Sequence, residues 1–289
     1  MKSNTLIQLS RAVLFHEGSG LSNLETGKTL HMGRLLHPST HRTVIVAVDH
    51  GNYTGPVRGL EDPVKVIKLA VEGGADAVIA NPGTIRRAAS AIAGKIGVIA
   101  RIDGAHTILN PDKGQHNSIT STVDSVAAMG VDGVVAMGYI GTKRETESLS
   151  GLGLAASACQ MNGVALVAEM LPSNDLPKPA HSEEYVSLAS RLGSELGADL
   201  IKTLYTGSVD SFRAVVQGSL SPVVVAGGPR MGSEMDALHV AEDAVKAGGV
   251  GVAFGRNVWQ SQNPLGMIRA LVEVVHGQKS PSEAAKGLR

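Results

Sequence analysis

Along most of the chain, short runs of consecutive apolar residues alternate with longer segments in which apolar positions recur at helical spacing. The runs are 44–49, 75–81, 97–103, 131–139, 163–171, 198–206, 222–228 and 249–255, and they are rich in Val, Ile and Ala. Runs this short, and apolar on both faces, read as parallel strands covered by helices on their outer side. The amphipathic segments between them are 62–73, 84–95, 121–129, 144–162, 182–196, 209–217 and 233–247, with 264–276 after the last run. Helix starts are signalled by Asp62 before Pro63, Ser182 before Glu183-Glu184, and Ser233 before Glu234. Helix ends are signalled by glycine just before the next run, as in Glu72-Gly-Gly-Ala-Asp76, Met129-Gly-Val-Asp132 and Leu196-Gly-Ala-Asp199.

Eight strands alternating with eight helices predict an α/β fold, a single-domain (β/α)8 barrel over residues 44–289. An open doubly wound sheet would carry its Gly-rich turn after an early strand, whereas here the Gly-rich strand ends come last. Residues 1–43 show no firm period. They are expected to form an N-terminal extension packing on the barrel, with one short helix near 5–15 and then a polar approach to the first strand. His16, His31, His37 and His41 fall in this stretch without ligand spacing, and they read as solvated surface histidines.

Composition narrows the function classes. Hydrophobic residues make up 43% and charged residues 18% of the 289 positions, which suits a packed core. With 26 basic and 26 acidic side chains the formal net charge is +0, so no global field favours nucleic acid or a membrane, while a local site for a small anion remains open. No run approaches the roughly 18 apolar residues that span a bilayer, and the N-terminus has no secretory pattern. A cytoplasmic protein is expected. Cys159 is the only cysteine; no intrachain disulfide can form, and its apolar helical setting assigns it a packing role.

Barrel enzymes carry their chemistry at the C-terminal ends of the strands, so those ends are where candidates belong. The sixth run, Ala198-Asp-Leu-Ile-Lys-Thr-Leu-Tyr-Thr-Gly207, sets Lys202 among apolar neighbours. If burial disfavours its charged form, the amine becomes a nucleophile able to form a Schiff base with a carbonyl. The bland alternatives are a snorkelling lysine or one paired to a carboxylate such as Asp49. The first run ends in Asp49-His50, where Asp49 can serve as general acid/base or as an ion-pair partner, and His50 can join it or bond to backbone. Tyr139 and Glu169, at the ends of the fourth and fifth runs, are proton carriers or structural groups. The last two ends, Gly227-Gly228 and Gly255-Arg256, suit a phosphate, because backbone N–H groups can approach it and Arg256 can grip its oxygens.

The segments Val48-Asp-His-Gly51, Ile201-Lys-Thr-Leu-Tyr-Thr-Gly207, Val223-Val-Val-Ala-Gly-Gly-Pro229 and Gly251-Val-Ala-Phe-Gly-Arg-Asn257 together resemble those of the archaeal-type (DhnA-type) class I aldolases. That family includes fructose-bisphosphate aldolases, aminodideoxyheptulosonate synthases and the thiolase of autoinducer-2 phosphate breakdown. The resemblance spans roughly residues 40–278. It implies a (β/α)8 barrel, Lys202 as the Schiff-base lysine, Asp49 as a catalytic carboxylate, and Gly227, Gly228, Gly255 and Arg256 as the phosphate site. The family's aldolases typically carry a Tyr-Pro pair at the end of strand 5, where this chain has Leu171-Pro172; an aromatic position two residues earlier is Glu169. The segments 49–56 and 139–141 resemble the thiolase branch more closely.

The expected activity is therefore a Schiff-base aldolase making or breaking a C–C bond in a phosphorylated ketose or related sugar phosphate, with Glu169 or Tyr139 moving protons. The alternative on the same scaffold is a thiolase-like acyltransferase acting on a phosphorylated diketone with coenzyme A as acceptor; a third is a non-catalytic sugar-phosphate-binding protein. No metal or cofactor is implied. A homo-oligomer is expected, with a small phosphorylated sugar as the partner molecule.

Overall fold

A computed structural model of the protein describes residues 23–110 and 117–288. Its centre is a closed parallel barrel of the strands β1 (Thr43–Ala47), β2 (Ala77–Ala80), β3 (Gly97–Arg101), β4 (Gly133–Ile140), β5 (Ala165–Pro172), β6 (Leu200–Thr203), β7 (Val223–Ala226) and β8 (Gly251–Phe254), in sequential order around the ring. The ring closes where β1 pairs with β8, Thr43 opposite Gly251. The chain folds as a single-domain (β/α)8 barrel.

Two apolar shells hold it together, and period 2 along each strand sorts residues between them. Ile45, Ile79, Ile99, Val135, Val167, Leu200 and Val224 face inward and fill the barrel's lower half. Their neighbours Val44, Val46, Val78, Val98, Val134, Leu166, Ile201 and Val225 face outward, under the helices. These side chains are almost fully buried; each contributes on the order of 1.5–3 kcal/mol relative to exposure. The covering helices include α2 (Pro63–Gly73), α3 (Pro82–Ile92), α4 (Val123–Ala127), α5 (Glu145–Asn162), α6 (Glu183–Glu195), α7 (Val209–Gly218), α8 (Glu234–Lys246) and α9 (Pro264–Val275).

The lower rim repeats one device. The left-handed glycines Gly74, Gly130 and Gly197 turn the chain from helix to strand, and an aspartate follows each within two residues. Asp76 accepts the N–H of Val44 at 2.7 Å, Asp132 that of Val98 at 2.9 Å, and Asp199 that of Leu166 at 2.8 Å. Each carboxylate thus ties the base of β2, β4 or β6 to the strand before it. The same aspartates also hold outer elements: His276 Nε2 lies 2.9 Å from Asp76, Lys28 Nζ lies 2.9 Å from Asp199, and Arg34 pairs with Asp132.

Several sequence expectations need correction. The helix expected near 5–15, and His16, lie outside the described residues. Where a polar approach to the first strand was expected, Asn23–Leu35 forms a helix, α1, across the bottom of the barrel. It is weakly amphipathic, and it is held by Met32 and Leu35, which with Leu36 close the inner apolar cluster. His31, His37 and His41 are consequently half-buried rather than solvated: His31 Nδ1 lies 3.1 Å from Asp132, and the rings of His37 and His276 are 4.6 Å apart. The paired strands are shorter than their apolar runs, because part of each run leaves the ladder for a connection. The second covering helix begins at Pro82 rather than residue 84, with proline as its first residue. Ser182 occupies the N-cap position without a side-chain cap bond, whereas Asp62 and Ser233 cap as expected.

Candidate active site

At the upper end of the barrel the inward positions change from apolar to charged. Following Ile45, Ile99, Val167 and Leu200 upward by two or four residues gives Asp49, Arg101, Glu169 and Lys202. They line a cavity of about 1060 Å³ at the strand ends. Every residue expected from the sequence lines it: Lys202, Asp49, Glu169, Tyr139 and His50, together with Gly227, Gly228, Gly255 and Arg256.

Lys202 is 5% exposed and sits directly across the β5–β6 ladder from Glu169. Its Nζ lies 2.7 Å from Glu169 Oε1. The carboxylate that pairs with Lys202 is therefore Glu169, and not Asp49. Asp49 is engaged by Arg101, whose Nε donates to Oδ2. The same guanidinium donates from Nη1 to Asp103 Oδ1 at 2.8 Å and from Nη2 to Glu169 Oε2. A single arginine, 3% exposed, thus joins the ends of β1, β3 and β5.

Burial, the largest single influence, would raise the pKa of Asp49, but the Arg101 guanidinium together with His50 and Lys202 outweighs it and holds the carboxyl well below the usual carboxylate range. Glu169 follows the same pattern, with burial opposed by Lys202 and Arg101 and a net lowering. Both are carboxylates in the resting site. Burial makes Arg101 easier to deprotonate, and its three carboxylate neighbours reverse that, so it stays charged. Burial, reinforced by Glu169 and Asp103, pushes the Tyr139 phenol up, so it is a neutral donor; its hydroxyl lies 2.8 Å from Met137 Sδ.

His50 Nδ1 stands 3.5 Å from Asp49 Oδ1, and its ring meets Trp259 edge-on with centroids 5.4 Å apart. Trp259 Nε1 in turn donates to the carbonyl of Ala47 at 3.1 Å, and Asn81 Nδ2 to that of Asp49 at 2.8 Å. These bonds fix the backbone that carries Asp49 and His50.

After β8, the strand next to β1, Gly255 precedes the single helical turn Arg256–Trp259. Arg256 is paired with no carboxylate among the described residues, and its buried Nε has no hydrogen-bond partner. The glycines beside it differ in their reasons. A Cβ on Gly255 would come within 2.7 Å of His50 Cε1 and 2.8 Å of the Ala47 carbonyl, so protein packing already demands glycine there. Gly227 is likewise crowded by Asn257 and Phe254 at 3.0 Å. Gly228, at φ +59° with open space around its Cβ position, is the one with room for a ligand. Asn257 fixes this corner, donating to the Gly227 carbonyl at 2.8 Å and accepting the N–H of Met231 at 2.8 Å.

Sequence reasoning singled out neither Arg101 nor the supporting Asp103 and Asn117, whose Nδ2 donates to Asp103 Oδ2 at 2.9 Å. The available signal was period 2: Ile99, Arg101 and Asp103 occupy the inward positions of one strand and its continuation.

A parallel barrel whose strand ends converge on a buried lysine–carboxylate pair, with Arg256 beyond β8 paired with no carboxylate among the described residues, defines a barrel enzyme. The model of the DeoC/LacD family aldolases matches residues 43–261, and the chain belongs to that family. It is 38% identical to the 2-amino-3,7-dideoxy-D-threo-hept-6-ulosonate synthase 1 of Archaeoglobus fulgidus, across 89% of this chain and 94% of the relative. It is 31% identical to the 3-hydroxy-5-phosphonooxypentane-2,4-dione thiolase of Yersinia enterocolitica, across 92% and 88% of the two chains. The crystal structure of an archaeal fructose 1,6-bisphosphate aldolase superposes with a TM-score of 0.78 at 29% identity, covering 88% of this chain and all of that one. A related archaeal aldolase structure, superposing with a TM-score of 0.77 at 29% identity over 88% of this chain and 99% of that one, has its catalytic lysine covalently bound to the carbinolamine intermediate of the substrate.

Proposed function

We propose that the protein is a class I aldolase in which Lys202 forms a Schiff base with the ketone of a phosphorylated ketose or related sugar phosphate. The observation that carries this reading is the lysine itself: a buried amine at a barrel strand end, 2.7 Å from a carboxylate and opening on the cavity. The lysine adduct in the archaeal aldolase structure supports it.

The chemistry follows from the neighbours. Glu169 Oε1 is placed to take a proton from Lys202 Nζ, leaving a lone pair for attack on the carbonyl carbon. The resulting carbinolamine loses its hydroxyl as water, and the C–N bond becomes an iminium that draws electrons from the adjacent carbons. Loss of the β-hydroxyl proton to a cavity base then breaks the C–C bond, leaving an enamine on Lys202 and a free aldehyde. Reprotonation of the enamine carbon and hydrolysis return the lysine, with no net redox change. Asp49, with His50 beside it, supplies a carboxylate for these transfers, and Tyr139 supplies a neutral phenol. Gly228 and Arg256 receive the phosphate, while Gly227 and Gly255 shape the corner.

A specific observation favours a second reading. Leu171, which lines the cavity at the strand-5 position of the aldolases' tyrosine, offers no group to take a β-hydroxyl proton. A phosphorylated diketone has no such requirement at that carbon, and an acyl group could then pass to coenzyme A.

Borohydride reduction in the presence of dihydroxyacetone phosphate tests the first claim. A stable adduct on Lys202, lost in Lys202→Ala, is expected; no adduct with any phosphorylated ketone would refute it. Product analysis with and without coenzyme A separates cleavage from acyl transfer.

A further inference from the structure

The guanidinium at the centre of the site touches none of the groups that would bond to substrate except through carboxylates, and its cost is large. Arginine among three carboxylates in a buried site requires desolvating four charges, and such networks are often no more stable than apolar replacements. The arrangement has a geometric consequence. Arg101 Nη2 and Lys202 Nζ hold different oxygens of Glu169, Oε2 and Oε1. When Lys202 passes a proton to Oε1 and goes on to an iminium, it keeps at most one N–H for that oxygen, whereas the Arg101 donor to Oε2 takes no part in the bond changes.

We propose that Arg101 is a positioning residue: it clamps Glu169 by Oε2 and Asp49 by Oδ2, so that Oε1 stays aimed at the nitrogen of Lys202 through the whole cycle and accepts its proton. This rests on the Schiff-base reading above and assigns the base within it. The fork geometry of guanidinium suits the task, since Nε, Nη1 and Nη2 reach three acceptors on three strand ends at once. Asp103 anchors the third arm; its other oxygen accepts from Asn117 Nδ2 at 2.9 Å and the Met137 N–H at 2.8 Å, so it is itself held. The charged and titratable groups around Glu169 are Lys202 on β6, Arg101 on β3, Asp49 beyond β1, Tyr53 on the turn that follows it, and Tyr139 on β4. Among these the two cations favour its ionised form, which is the form that accepts a proton.

The sign of the pH effect follows. Proton transfer from Lys202 needs Glu169 ionised, so Schiff-base formation falls on an acidic limb set by Glu169. Removing Arg101 takes away one of the cations that lower its pKa, and the limb moves to higher pH. The test is the rate of borohydride-trapped adduct on Lys202, with dihydroxyacetone phosphate as probe, measured against pH for the wild type, Arg101→Lys, Arg101→Gln and Glu169→Gln. The trapping rate should fall by about 10²–10³ in Arg101→Gln, in line with loss of a placed general base. The limb should shift upward in Arg101→Gln and less in Arg101→Lys, which keeps the charge but not the fork. The half-saturating probe concentration, set at the Arg256 wall, should stay within a few-fold. Glu169→Gln should lose the limb altogether. A wild-type limb in both folded Arg101 variants overturns this inference alone. If neither variant folds, Glu169→Gln decides: a persisting limb leaves Arg101 no base to act through and overturns it. Absence of any adduct in the wild type would instead overturn the Schiff-base reading, and this inference with it.

Discussion

Replacing Lys202 by methionine keeps the stem's volume and removes the charge, so it separates the lysine's chemistry from its electrostatics. At 2.7 Å and an effective dielectric near 20, the Lys202–Glu169 attraction is worth roughly 6 kcal/mol before desolvation. Burying the ammonium costs several kcal/mol of that, and removing one partner of a buried pair typically destabilises by about 3–5 kcal/mol. Here Glu169 keeps Arg101, which puts the expected loss toward the lower end, about 3 kcal/mol at pH 8. The loss should depend on pH in a stated direction. In the wild type Glu169 has a lowered folded pKa, so it contributes stability above its unfolded value near 4.3 that is lost as pH falls through the folded value. Without Lys202 that folded pKa rises, and Glu169 contributes less at neutral pH. The difference between wild type and variant should therefore be greatest above about pH 6 and narrow toward pH 4. Equilibrium urea unfolding at intervals across that range measures it, with adduct formation abolished throughout. A pH-independent difference, or one under about 1 kcal/mol at pH 8, would show that the ion pair does not set the energetics of the site.

Four further outcomes are expected. Arg256→Met should raise the half-saturating concentration of a phosphorylated ketone roughly 10- to 100-fold, the loss of about 1.5–3 kcal/mol carried by a charged hydrogen-bond donor, and should abolish protection by inorganic phosphate. Asp132→Asn should lower unfolding stability by about 1–3 kcal/mol with little effect on adduct formation, since Asp132 serves the Val98 N–H, His31 and Arg34 at the opposite end of the barrel. Gly251→Ala should fail to fold or should lose more than about 4 kcal/mol, because its Cβ would stand 1.9 Å from the Thr43 carbonyl where the barrel closes, at φ +138°; expression and circular dichroism decide. Cys159, fully buried with its thiol pushed up to about 12 by burial, should react with a thiol reagent only in denaturant, and fast modification of the native protein would contradict the packing.

The barrel was legible because parallel strands buried on both faces read as apolar runs, and those runs recur at even spacing with Gly-x-Asp or Gly-Ala-Asp before three of them. The helix Asn23–Leu35 was not, since its hold on the barrel rests on Met32 and Leu35, which gives almost no periodic signal. The candidate residues that line the cavity were legible for a different reason. A lysine within Leu200-Ile-Lys-Thr203 or a glutamate within Ala165-Leu-Val-Ala-Glu169 is conspicuous against apolar neighbours, and the barrel fixes which end of the strand faces the cavity. Their pairing was not legible. Asp49 and Glu169 are equally plausible partners for Lys202 until the register places Glu169 directly across the ladder from it.

The division of partners has one cause, and it is chemically informative. Arg101 occupies Asp49, and an arginine near a strand end carries no motif of its own, so period 2 along its strand is the signal that it faces the barrel interior. The register sets Arg101 opposite Val135, and from there its long side chain reaches Asp49, Asp103 and Glu169, from which the distribution of partners follows. A guanidinium fork can satisfy three carboxylates at once, whereas an ammonium bonded by all three could not be released to attack a carbonyl. With Arg101 absorbing Asp49, Asp103 and one oxygen of Glu169, Lys202 is left, among the described residues, with Glu169 as its ion-pair partner at 2.7 Å. On the Schiff-base reading proposed above, that leaves the lysine buried enough to be shielded and lightly enough held to react, with the arginine acting through the carboxylates.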